Sequence, residues 1–170
     1  MSHTATAASI EDESRISHPA WDWVGLAARL ILGIVLIVAG ALKVGHPITS
    51  KMAVQAYRIF PHEVAGWIGL TLPFVEIVLG VLLVLGLFTR LSALLGGLLM
   101  LAFVVGIAQA WARGLTIDCG CFGGGGTVAA NQTRYGTEIL RDLGLAVCGF
   151  YLARRPRSAL ALDSRLGLTP

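Results

Sequence analysis

Between residues 23 and 42 the chain runs 20 residues with a single charge, Arg29. At about 1.5 Å per residue this run crosses a hydrocarbon layer of about 30 Å. A second run, residues 64–88, carries one charge, Glu76, and one helix breaker, Pro73; a third, residues 91–111, carries no charge. Segments of this length have one stable outcome. They form helices in lipid, because a backbone without water must satisfy its own hydrogen bonds. A fourth span is expected over residues 135–153: the uninterrupted apolar part, 143–153, is too short, and the extension brings Glu138, Arg141 and Asp142 into its first half. The expected fold is therefore all-α, a bundle of four transmembrane helices. Residues 1–22 and 154–170 are read as polar tails on a membrane domain covering 23–153.

Charge confirms the class. Charged residues make up 14% of the 170-residue chain, against roughly a quarter in soluble domains, so the sequence cannot cover a water-facing surface. The net charge of +3 does not point to nucleic acid, because the basic residues flank the apolar runs and the partner they imply is membrane lipid. With four spans both ends share a side, which collects Arg15, Arg29, Arg90, Arg154, Arg155, Arg157 and Arg165; Lys43, Lys51, Arg58, Arg113, Arg134 and Arg141 fall elsewhere. The cluster Arg154, Arg155 and Arg157, directly beyond a span, sets the expected orientation. Both termini are placed in the cytoplasm of a multi-pass cell-membrane protein, with loops 43–63 and 112–136 outside. The acidic leader with Glu11, Asp12 and Glu13 is unlike a signal peptide. Trp21, Trp23, Trp67 and Trp111 fall where interfacial aromatics belong.

Reactive side chains cluster in the loop after the third span, Asp118-Cys119-Gly120-Cys121-Phe122-Gly123. Two thiols one residue apart close a small, strained ring, and strained disulfides are the labile, exchanging kind. Gly120 removes a Cβ that would obstruct the bend. A redox dithiol, a metal clasp completed by His46 and His62, and a purely structural pair all remain open; the one-residue spacing departs from zinc patterns, while copper(I) fits more easily. Lys43 or Arg113 beside Cys119 would favour its thiolate. Gly123 to Gly126 reads as flexible backbone, since no Lys-Ser/Thr follows to make a phosphate loop. Cys148 reads as a packing residue inside span four.

Glu76 falls near the middle of span two, where a carboxylate must be neutral or paired and so faces the bundle interior. A proton relay is one expectation for it and an ion pair with Arg141 the other. Asp142 completes the charged groups on that side, and Gln109 offers an interhelical hydrogen bond.

Taken in order, Gly40-Ala41-Leu42-Lys43 with His46-Pro47, Leu72-Pro73-Phe74-Val75-Glu76, and Asp118-Cys119-Gly120-Cys121-Phe122-Gly123 resemble the redox-associated membrane proteins of the MauE/DoxX group, with the cysteine pair on the MauE side. The resemblance covers roughly residues 23–153. It implies a four-helix membrane protein that assists disulfide formation in a secreted protein, a thioredoxin-like extracytoplasmic partner, and quinone as an electron acceptor. Catalysis would fall to Cys119, Cys121 and Glu76, supported by Lys43, Arg113, Asp118, Arg141 and Asp142. The quinone-coupled thiol oxidases carry two external cysteine pairs and this chain one, so a relay within the polypeptide is not implied. A non-catalytic scaffold of a respiratory or detoxifying complex and a small transporter or copper-handling protein are the competing functions.

Overall fold

The structure, a computed structural model, describes residues 20–120, 124–127, 129 and 133–155. Both predicted tails lie almost wholly outside these residues, and so does Cys121. Among the described residues five helices and one short hairpin are present: α1 (Ala20–Val44), α2 (Pro47–Ala56), α3 (His62–Leu85), α4 (Thr89–Ala112), β1 (Ile117–Asp118), β2 (Gly126–Thr127) and α5 (Tyr135–Arg154).

Four of the helices form the expected bundle. Helices α1, α3 and α4 are long and apolar enough to cross a membrane. Helix α5, at 20 residues, is the fourth long member, and the charges that dilute its first half are turned inward or to the bundle mouth. Leu32, Leu36, Leu83, Met100, Leu145 and Leu152 fill the core. The outer face is as apolar as the inside: Val105 is 66% and Val147 67% exposed, surfaces that only lipid accommodates. This is a membrane protein.

Close packing runs along two seams, α1 on α3 and α4 on α5. At the first, a Cβ added to Gly80 would stand 2.6 Å from the Gly33 carbonyl oxygen, so only glycine permits the backbones to approach. Gly80→Ala is expected to destabilise the bundle by about 1–3 kcal/mol through overpacking. Gly144→Ala, where an added Cβ meets nothing within 4 Å, is the control. Thermal unfolding in one detergent should separate the two variants, with Gly144→Ala unchanged or slightly more stable.

The α3–α4 turn sits earlier than the linker Thr89-Arg90 that the apolar runs suggest. Gly86, at φ 69°, ends α3 in the left-handed conformation, Phe88 at φ 48° starts α4, and Thr89 is fully buried in the first turn of α4. At this end of the bundle Arg155 lies over the Trp21 ring, 5.7 Å from its centre, so the start of α1 and the end of α5 come together. The opposite end carries α2 and the hairpin.

At that end the loop 43–63 contains a helix: Pro47 at the first helical position opens α2. The glycine run is not slack chain in its described part. Gly126 pairs with Asp118 across an antiparallel ladder, and Gly125 and Gly126 hold φ of 140° and 105°, backbone that side-chain-bearing residues rarely adopt.

Candidate functional site

Cys119 follows β1 and is 8% exposed. Its position is built from main-chain anchors. The Tyr57 hydroxyl, just beyond α2, donates to the Cys119 carbonyl at 3.1 Å. Tyr57 is itself fixed from α4, where Gln109 Nε2 donates to its carbonyl at 3.1 Å. Arg113 Nη1 donates to the Arg58 carbonyl at 3.2 Å and to Gln109 Oε1 at 2.8 Å. From α5, Tyr135 donates to the Leu115 carbonyl and accepts from the Ile117 N–H at 2.9 Å. Gly120, at φ 69°, turns the chain directly after the cysteine; a Cβ there would stand 2.7 Å from Ala53 Cβ on α2. The loop is thus laid on α2 where a bulkier residue would lift it off.

Around the sulfur the chemistry is acidic. Carboxylate oxygens of Asp118 and Glu138 and Cys119 Sγ all lie within 4.8 Å of one another, and the Cys119 thiol donates a hydrogen bond to Glu138. Asp118 Oδ1 also accepts the Gly120 N–H at 3.3 Å. A carboxylate in this place is positioned to take up a thiol proton. Arg113, expected near the thiol, instead spends its donors on the Tyr57–Arg58 segment, while Lys43 lines a cavity of about 30 Å³ together with Tyr57, Phe103, Cys119 and Gly120. Neither His46 nor His62 joins the sulfur: His46 Nδ1 contacts the Leu42 carbonyl at 3.2 Å and the two rings are exposed. Among the described residues the donors gathered here are one sulfur and two carboxylates.

Below the cavity lies the intramembrane acid. Glu76 is 0% exposed and pairs with Lys43, Nζ to Oε1 2.6 Å. The ammonium stands 5.3 Å from the centre of the Phe103 ring. The ion pair expected with Arg141 does not form. Arg141 turns to its neighbour Asp142, with Nε and Nη2 each 2.9 Å from Oδ1. Lys43 reaches Glu76 because α1 and α3 approach closely: a Cβ on Gly40 would stand 2.6 Å from the Pro73 carbonyl oxygen and 3.2 Å from Glu76 Cβ. Glu76 therefore faces the interior, as its depth requires. Cys148 packs partly buried against the core, as expected of it.

Sequence reasoning did not single out Glu138 or Tyr57 for this site. Glu138 was visible only as a charge early in the last span; its approach to Cys119 is set by the loop fold, which has no local signature. Tyr57 sits 62 residues from the carbonyl it holds.

A family model described as methylamine utilisation protein MauE matches residues 21–155. Among characterised sequences, the methylamine utilization protein MauE of Paracoccus denitrificans is 32% identical over 144 residues, covering 84% of this chain and 75% of that protein. The protein of the same name from Methylorubrum extorquens is 36% identical over 126 residues, covering 74% of this chain and 66% of that one. No solved structure matches. With the family model covering well over half of the chain, the chain belongs to the MauE family of membrane proteins.

Proposed function

We propose that this protein exchanges disulfides through Cys119 and Cys121 on the extracytoplasmic face, as a membrane accessory to the maturation of a secreted protein in methylamine utilisation. The observation that carries the reading is the anchored Cys119 thiol with a carboxylate, Glu138, as its proton acceptor. The names of the two relatives support the physiological setting. Arg154 and Arg155 at the shared helix end support cytoplasmic termini, which puts the cysteine loop in an oxidising compartment.

The oxidised pair is the reactive form. A thiolate of a thioredoxin-like partner attacks the Cys121 sulfur, the Cys119–Cys121 bond breaks, and Cys119 leaves as a thiolate that takes a proton from Glu138. The partner's second thiol then attacks its own sulfur in the mixed disulfide, releasing Cys121. Two electrons have moved from partner to protein, and a quinone accepting two electrons and two protons restores the disulfide. The burial of Cys119 supports this order of attack, since a protein thiolate reaches an enclosed sulfur poorly.

Cys119→Ser and Cys121→Ser are each expected to abolish the trapped mixed disulfide, because either removes the Cys119–Cys121 bond that the partner thiolate attacks. Thiol trapping on intact cells, followed by non-reducing electrophoresis, reads both. Identical patterns in wild type and both variants would sink the proposal; a cysteine-free variant that still supports the partner's assembly would leave a scaffold role. Labelling with a membrane-impermeant thiol reagent checks the orientation.

A further inference from the structure

Two buried carboxylates below the cysteine loop each keep one oxygen unmatched. Glu76 Oε1 takes the Lys43 ammonium and Asp142 Oδ1 takes the Arg141 guanidinium. Glu76 Oε2 and Asp142 Oδ2 are both buried with no hydrogen-bond partner among the described residues. The two side chains are 0% and 1% exposed, and they come from different helices, α3 and α5. Both line one cavity of about 10 Å³, whose remaining wall is apolar apart from Arg141 and includes Leu36, Met100 and Leu145. An unmatched buried acceptor costs about 1–3 kcal/mol, more when charged, so two on residues that line one cavity constrain what it takes.

Charge narrows the occupant. The cations acting on the two acids are Lys43 from α1 and Arg141 from α5, and the Glu138 carboxylate of α5 also acts on Asp142. A metal ion needs more oxygen ligands than this otherwise apolar wall offers, and an anion would meet two acceptors. A neutral molecule with two donors fits both oxygens, and the space matches about one water. We infer that Glu76 and Asp142 form a proton-transfer site, joined by a single bridging water, in the interior of the bundle.

A water donating to both carboxylates connects them through hydrogen bonds along which one proton can pass, so the pair takes up a proton as a unit. Lys43 extends the site outward: it bonds Glu76 and lines the second cavity, with Cys119. A link to the thiol protons rests on the proposed function; the site itself does not.

The test is infrared difference spectroscopy on acid titration in heavy water, with protein in lipid nanodiscs. Measuring it in a Cys119→Ser background separates its failure from failure of the thiol chemistry. Relative to the Glu76→Gln, Asp142→Asn double variant, one exchangeable protonated-carboxyl band is expected for the pair, and either single substitution should remove or displace it. Two bands, each lost to one substitution alone, would overturn the inference. So would a pair that takes up no exchangeable proton, a result read on the unsubstituted acids without dependence on any variant's folding.

Discussion

Lys43→Met is expected to destabilise the protein by about 3–5 kcal/mol, the cost of leaving one partner of a buried ion pair uncompensated. Glu76 then stays buried at membrane depth with its charge uncompensated. The change should appear as a large loss of thermal stability in detergent and of folded protein recovered from membranes. Truncation of a long side chain is not the cause, because Met retains most of the packing volume. The discriminating variant removes both charges. Lys43→Met with Glu76→Gln should regain most of the lost stability, since an apolar or neutral replacement of a whole buried pair is often nearly neutral. If the double variant is as unstable as the sum of its parts, the contact at 2.6 Å does not govern the stability of this end of the bundle. Glu76→Gln alone should be milder, as the amide still accepts a hydrogen bond from Lys43.

The second large effect concerns rate. Glu138→Gln removes the proton acceptor at Cys119 while keeping the shape of the side chain, and about 100-fold slower closure of the Cys119–Cys121 disulfide is expected, the lower range for loss of a general base. Stopped-flow oxidation of the reduced protein by a small disulfide measures it. The wild-type rate should fall only at acid pH, where a carboxyl already holding its proton cannot accept another, whereas the variant, left to its own thiolate fraction, should fall steadily from the thiol's titration downward. Asp118→Asn is the comparison. Its carboxylate accepts the Gly120 N–H and is expected to act through loop geometry, so the variant should keep the wild-type fall at acid pH. A Glu138→Gln protein that closes its disulfide at the wild-type rate would remove Glu138 from the mechanism, leaving the cysteines' own roles to the trapping experiment.

The membrane bundle was legible because lipid leaves few options: uncharged length dictates helix, and a charge at mid-depth dictates an inward face. The apolar runs accordingly locate α1, α3 and α4 to within a few residues, and Glu76 points inward. What was not legible is partner choice. Whether Glu76 meets Lys43 or Arg141 depends on helix rotation and on which seam closes tightly, and Gly40 decides it by bringing α1 against Pro73. Arg141 found a carboxylate beside it in sequence, which a long-range expectation passes over. The α3–α4 turn slipped because hydropathy does not register a left-handed residue; Gly86 does. The glycines after Cys119 read as slack from composition alone, although Gly125 and Gly126 serve a hairpin packed on Ala53.

The Cys119 loop is held through the main chain. Tyr57 grips the carbonyl of residue 119, and Tyr135 grips the carbonyl of Leu115 and the N–H of Ile117. None of these grips reads a side chain on the loop. The arrangement works as a socket for side chains of the same size: serine or selenocysteine at position 119 would be presented at the same point above Lys43. Reactivity at this place can therefore be exchanged atom for atom, while the scaffold that aims it keeps its shape.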